Sequence, residues 1–138
     1  MSATLVLDAS ASVRAVLDAA AQPILLERIG SAAVVLAPTL LCAEVGNAFW
    51  KYCRAGVINA ADLPDRHEEA MSLVHRFIAD DSLFPEALVL AAESDHPVYD
   101  ALYAITARRH AAVLLTFDRR LHALCAQARI GSELLGAG

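Results

Sequence analysis

Short apolar runs compatible with β-structure alternate along this chain with longer runs of helical period, and that alternation restricts the fold to α/β with a mostly parallel sheet. The pattern predicts strands over Thr4 to Leu7, Ala33 to Leu36, Ser82 to Phe84 and Ala112 to Thr116, with only a weak fifth strand at Ile130 to Leu134. Helices are predicted over Ser10 to Asp18, Pro23 to Ile29, Thr39 to Arg54, Ala60 to Ala79, Pro85 to Ser94, Pro97 to His110 and Arg119 to Ala128. Pro23, Pro85 and Pro97 suit first helical turns, Gly56 a C-terminal cap and Asn59 an N-cap. The short segment Ala55 to Asn59 joins its two helices into an antiparallel hairpin. Phe49, Trp50 and Tyr52 lie near the end of the first, and Leu73, Val74, Phe77 and Ile78 recur at helical spacing on the second. Trp50 suits an interface as well as it suits a core. The 138 residues read as a single domain, 1–138, long enough to bury one continuous core.

At 57% hydrophobic residues and a mean hydropathy of +0.47 the chain is unusually apolar, so some surface is expected to be covered by a partner. No stretch is uninterrupted enough to span a bilayer. The N-terminal run carries Asp8, Arg14 and Asp18 with no basic segment before it, so no signal peptide or membrane span is expected and the location is read as cytoplasmic. Cys42, Cys53 and Cys125 show neither CxxC nor Cys/His spacing and read as small buried hydrophobes. The net charge of −5 argues against a general nucleic-acid coat, but not against an enzyme that reaches phosphates through a metal and a few local arginines. The five histidines, among them His67, His75 and His110, show no ligand spacing, and no glycine-rich phosphate loop is present.

Four acids are placed where folding alone does not require them. Asp8 follows Leu5-Val6-Leu7 and Asp118 follows Leu114-Leu115-Thr116-Phe117, each at the carboxyl end of a predicted strand. Either alone reads as a helix N-cap. Both on the carboxyl edge of one parallel sheet stand where open α/β sheets bind ligands. Glu44 sits in the apolar string Leu41-Cys42-Ala43-Glu44-Val45-Gly46, on a face it shares with Asn47 and Lys51, and an ionised carboxylate in such flanks favours a site over a solvated stripe. Asn47 and Lys51 fit either. Asp100, in Val98-Tyr99-Asp100-Ala101-Leu102-Tyr103, suits the start of a helix electrostatically but lies on a partly enclosed face, and Asp95 already serves that helix end. Unit charges about 5 Å apart repel by about 3 kcal/mol at an effective dielectric near 20, a cost that a bound cation removes. Carboxylate oxygens are the donors that Mg²⁺ and Mn²⁺ prefer.

Four strings, Leu5-Val6-Leu7-Asp8-Ala9-Ser10, Ala43-Glu44-Val45-Gly46-Asn47-Ala48, Tyr99-Asp100-Ala101-Leu102-Tyr103 and Thr116-Phe117-Asp118-Arg119-Arg120-Leu121, together resemble the PIN domain, and more closely the VapC-like ribonuclease toxins of toxin–antitoxin pairs. The resemblance implies a three-layer α/β/α fold with strand order 3-2-1-4-5. It implies Mg²⁺ or Mn²⁺ held by Asp8, Asp100 and Asp118, with Glu44 binding the metal or its water, and Thr116 and Ser10 supporting the carboxylates. It also implies an RNA substrate hydrolysed by metal-activated water, a homodimer and a cognate antitoxin protein. Asn47 is a further supporting candidate, and Arg119, Arg120 and Lys51 are candidates for RNA contact. Phe117 stands where a smaller residue is common, which reshapes the rim of the site.

Other classes fit less well. A phospho-acceptor receiver needs an acidic pair near Asp8, an Asp after the third strand and a Lys after the last, whereas the predicted third strand ends at Phe84 and Lys51 is helical. A haloacid-dehalogenase-type phosphatase needs a second Asp where Ser10 stands. A housekeeping PIN nuclease and a catalytically silent PIN scaffold remain open as alternatives to the toxin.

Overall fold

The computed structural model describes residues 3–136. Five strands, β1 (Thr4–Leu7), β2 (Val34–Pro38), β3 (Arg76–Ile78), β4 (Val113–Thr116) and β5 (Ser132–Leu134), form one sheet in the order β3-β2-β1-β4-β5. Every pairing is parallel, with Leu5 opposite both Val35 and Val113, and Thr116 opposite Leu134. The helices are α1 (Ala9–Leu17), α2 (Gln22–Ser31), α3 (Leu40–Arg54), α4 (Leu63–Ser72), α5 (Asp80–Ser94), α6 (Val98–Arg109) and α7 (Arg119–Gln127), with a single 3₁₀ turn at Ala60–Asp62. Among the described residues no helix is long and apolar enough to cross a membrane.

The period of two along the strands builds the three layers. Val6, Leu36 and Leu114 point into a core shared with Leu41, Val45 and Phe49 of α3, Leu83 and Ala87 of α5, most of α6, and Leu121 and Leu124 of α7. Leu5, Leu7, Val35 and Leu115 point the other way, onto Ala11 and Ala15 of α1 and Leu25 and Ile29 of α2. Helix α6 is enclosed on every side: Ala101 through Ala107 are all buried, and Thr106 satisfies its hydroxyl on the Leu102 carbonyl at 2.8 Å. An all-round apolar helix of this kind belongs in the interior.

Several expectations fail. The long helix over Ala60 to Ala79 is interrupted: α4 stops at Ser72, and Phe77 and Ile78 lie on β3, an edge strand paired with Ala37 and Pro38. His75 leads into that pairing, since its N–H donates to Val35 O at 2.8 Å while its Nδ1 accepts the Val35 N–H at 2.9 Å. The strand over Ser82 to Phe84 is instead the second turn of α5, whose start is favoured by Asp80 and Asp81 at the positive end of the helix dipole. Pro85 consequently lies inside α5 rather than in its first turn. The weak fifth strand does form, paired with β4 through Ser132 to Leu134. Gly56, at φ +81°, ends α3 as expected, whereas Asn59 precedes the 3₁₀ turn without capping it through its side chain. Of the cysteines only Cys125 is buried; Cys42 is exposed.

Candidate active site

Strands β1 and β4 are neighbours, and each ends in an acid that opens the next helix. Asp8 caps α1: Oδ1 accepts from Ala11 N at 2.9 Å and from Ser10 Oγ at 2.7 Å, and Oδ2 accepts from Thr116 Oγ1. Asp118 caps α7, its Oδ1 accepting from Arg120 N at 2.8 Å and Leu121 N at 3.4 Å. Thr116 ties the two together, because the oxygen that donates to Asp8 also accepts the Asp118 N–H at 2.9 Å. Ser10 does the same one residue earlier, accepting the Phe117 N–H at 2.9 Å. Capping and clustering therefore coexist at both aspartates.

Glu44 and Asp100 reach the same edge from α3 and α6. Tyr103 Oη donates to Glu44 Oε1 at 2.5 Å, and His96 Nε2 lies 2.7 Å from Asp100 Oδ2. Asp80 stands just beyond β3, where its Oδ1 accepts from Leu40 N at 3.0 Å and its own N–H donates to Thr39 Oγ1 at 3.1 Å. None of Tyr103, His96 and Asp80 is singled out by sequence. The signal was present for one of them: Tyr103 follows Asp100 by three positions on α6, which puts the two on one helix face, whereas His96 reaches Asp100 from the segment that precedes the helix. Asp80 was hidden by the misplaced third strand, and the absence of an acid after that strand is no longer an argument against a receiver. The strand order itself is, since receivers follow 2-1-3-4-5.

The acids repel one another and are partly withdrawn from water. Asp8 is 4% exposed. Burial pushes its carboxyl up to about 6, with the Asp118 charge adding and the bonds from Thr116, Ala11 and Ser10 opposing. Glu44 is raised by burial, opposed by the Tyr103 hydrogen bond and reinforced by the charges of Asp100 and Asp80. Burial and then Glu44 push Tyr103 far above the ordinary phenol range, so it remains a donor. The Cys125 thiol is pushed up to about 12, chiefly by burial, and is no nucleophile.

Asp118, Glu44 and Asp100 share one pattern: one oxygen is held by a protein donor, and the other makes no hydrogen bond within the described residues. Held this way, each carboxylate keeps one oxygen free of protein donors among the described residues. Among the described residues, however, no group of three or more His, Cys, Asp or Glu side chains is disposed to hold a metal ion by itself. The all-oxygen donor set fits Mg²⁺ or Mn²⁺ in the manner usual for Mg²⁺, one or two carboxylates with the remaining positions left to water and substrate phosphate. It does not fit a dedicated cage of Asp8, Asp100 and Asp118. Arg119, Arg120 and Lys51 are exposed and in no ion pair among the described residues, and Asn47 is exposed and makes no hydrogen bond to the carboxylates. Asp95, in a left-handed conformation at φ 49°, closes α5 instead of opening α6.

An open parallel sheet that gathers carboxylates on its carboxyl edge, at the point where strand order reverses, places them where α/β folds bind ligands. Residues 5–127 match the family model of the PIN domain, and the chain belongs to that family. Its fold is similar to that in the crystal structure of PAE2754 from Pyrobaculum aerophilum, at 29% identity and a TM-score of 0.68, over 90% of this chain and 87% of that one. No curated protein matches the chain.

Proposed function

We propose that this chain is a divalent-metal-dependent endoribonuclease and the toxin component of a toxin–antitoxin module. The observation that carries the nuclease reading is the set of half-anchored carboxylates of Glu44, Asp100 and Asp118 beside buried Asp8. One or two of the carboxylates of Asp8, Asp118 and Asp100, together with water and substrate phosphate, would hold Mg²⁺ or Mn²⁺, which when bound supplies Lewis acidity and offsets charge on the phosphoryl oxygens. Glu44 receives a proton from the attacking water at its free Oε2, while Tyr103 fixes Oε1 and so sets the direction of that free oxygen. Burial and the neighbouring acids raise Glu44 and make it a better base than an exposed glutamate. The new phosphorus–oxygen bond forms as the bond to one ribose oxygen breaks, and that oxygen takes up a proton from solvent water. Arg119 and Arg120, at the start of α7 next to Asp118, contact phosphates on either side of the break.

Exposed apolar side chains support the toxin reading. Trp50 is 48% exposed, with Arg54 5.0 Å from its ring centroid, and Tyr52 and Val57 lie exposed nearby. Leu88 and Val89 leave a second apolar patch on α5. These surfaces suit a second copy of the chain and an amphipathic antitoxin helix.

The test is end-mapping of total RNA incubated with the purified chain, with Mg²⁺, Mn²⁺ or EDTA. Cuts that need metal and vanish in Asp100→Asn are expected; intact RNA in Mn²⁺ would leave only a silent scaffold. Induced expression in a bacterial host is expected to arrest growth, and unimpaired growth of cells whose lysate cuts RNA would replace the toxin with a housekeeping nuclease.

A further inference from the structure

Beside the acidic edge lies a cavity of about 260 Å³, bounded by Arg14, Ile24, Leu25, Phe117, Leu135 and Gly136. Its walls are largely carbon, and among the described residues Arg14 and Asp18 carry its only charges. Phe117 joins it to the site directly, standing between Thr116 and Asp118 with its N–H held by Ser10 Oγ at 2.9 Å. The ring packs on the α1/α2 face with Leu7, Leu25 and Leu115, so anything seated against it lies across the end of β4 from the Asp8–Thr116–Asp118 cluster.

The ring is held for a purpose that packing alone does not require. The Arg14 guanidinium carbon lies over it, 4.2 Å from the centroid, and Asp18 steadies that arginine at 3.7 Å. Gly136 backs it with bare main chain at φ +65°, where a Cβ would come within 2.8 Å of Phe117 Cε1. Across the hollow, Ile24 leaves 61% of its surface uncovered. An apolar slot with one stacked cation, opening beside an edge that handles phosphodiesters, matches a planar uncharged ring tethered to a phosphate chain. Aliphatic side chains of a protein would match the walls, but would have no use for the stacked guanidinium.

We propose that this cavity is a nucleobase subsite, taking the base of a nucleotide that flanks the scissile phosphate, with Arg14 and Phe117 as its stacking platform. The inference rests on the nuclease reading above and adds a specificity element to it. Stacking of a base on such a platform is expected to favour a base over a bare ribose by about 5- to 150-fold at one position.

The experiment uses an oligoribonucleotide around a mapped cut, made with a single abasic ribose at each position in turn. The ratio of kcat/KM for intact and abasic substrates is compared among wild type, Phe117→Leu and Arg14→Gln. The expected result is a high ratio at one flanking position in the wild type that falls toward one in both variants. Phe117→Leu keeps the apolar packing, and Arg14→Gln changes an exposed residue, so a misfolded variant at one position leaves the other to decide. Cleavage with the same ratio in all three proteins overturns the subsite and leaves the nuclease standing. No cleavage of any RNA by the wild type overturns both. Loss of a co-expressed protein partner in the two variants, with the ratio unmoved, assigns the cavity to that partner and overturns the base.

Discussion

The two halves of the acidic edge are built differently. On the β1/β4 side, Asp8 is buried, with both oxygens engaged by Ser10, Ala11 and Thr116, and it holds two strands and a helix start together. On the α3/α6 side, Glu44 and Asp100 are half-buried, each held by one side chain, Tyr103 or His96. The first half is part of the scaffold that also serves the site. The second is placed on the scaffold, and little else depends on it. Stability and chemistry should therefore separate between the halves.

The largest expected effect is on chemistry in the open half. Glu44→Gln and Asp100→Asn should each slow single-turnover RNA cleavage by about 10²-fold or more, with melting temperatures near wild type. If Asp100→Asn melts as early as a core mutant, the contrast between the halves is wrong. In the buried half, pH is the sharper probe. The Asp8 carboxyl is raised from 3.8 to about 6 in the folded chain, so the unfolded chain gives up this proton first. The stabilisation that protonated Asp8 contributes is fully present below about pH 4 and is lost as pH rises through about 6, a change on the order of 3 kcal/mol. Denaturant titrations of the metal-free chain should show that decline, and Asp8→Asn should flatten most of it; an unchanged slope would remove Asp8 as its source.

Metal should act on both halves at once. Mn²⁺ at about a hundred times its dissociation constant should add roughly 2.7 kcal/mol of stability, read as several degrees in a thermal scan. No rise in Mn²⁺ or Mg²⁺ would count against any cation at this edge. The smallest effect expected is at Tyr103. Its hydrogen bond favours ionised Glu44, so Tyr103→Phe should raise the glutamate further and move the acid limb of the pH–rate profile to higher pH. A limb that stays in place would mean that Glu44 does not set it.

The buried half was also the more legible in sequence. Asp8 and Asp118 each follow an apolar run at a strand-to-helix junction, and a short local pattern suffices to place them. Glu44 and Asp100 stood out because their flanks are apolar, but Tyr103 looked like core and His96 like an isolated histidine, since their roles arise from spacing to Asp100 and from α3 packing onto α6. The failures in the fold have the same origin. Three residues of β3 at the sheet edge, with Phe77 partly exposed, carry no period of two long enough to outweigh the helical spacing of Leu73, Val74, Phe77 and Ile78. Ser82 to Phe84 before Pro85 looked like a strand ahead of a helix start, although Asp80 and Asp81 had already begun the helix.

The bond from Thr116 to Asp8 crosses 108 positions of sequence. During synthesis Asp8 emerges before its partner, and its strand waits on one side for β4. Until β4 has been translated and docked, Asp8 lacks its Thr116 donor, Asp118 does not exist and the edge has only half its acids. A product truncated before Val113 can never complete it. For a chain proposed to cut RNA, made by a machine built largely of RNA, the order of translation delays the assembled site until β4 and the start of α7 have been made.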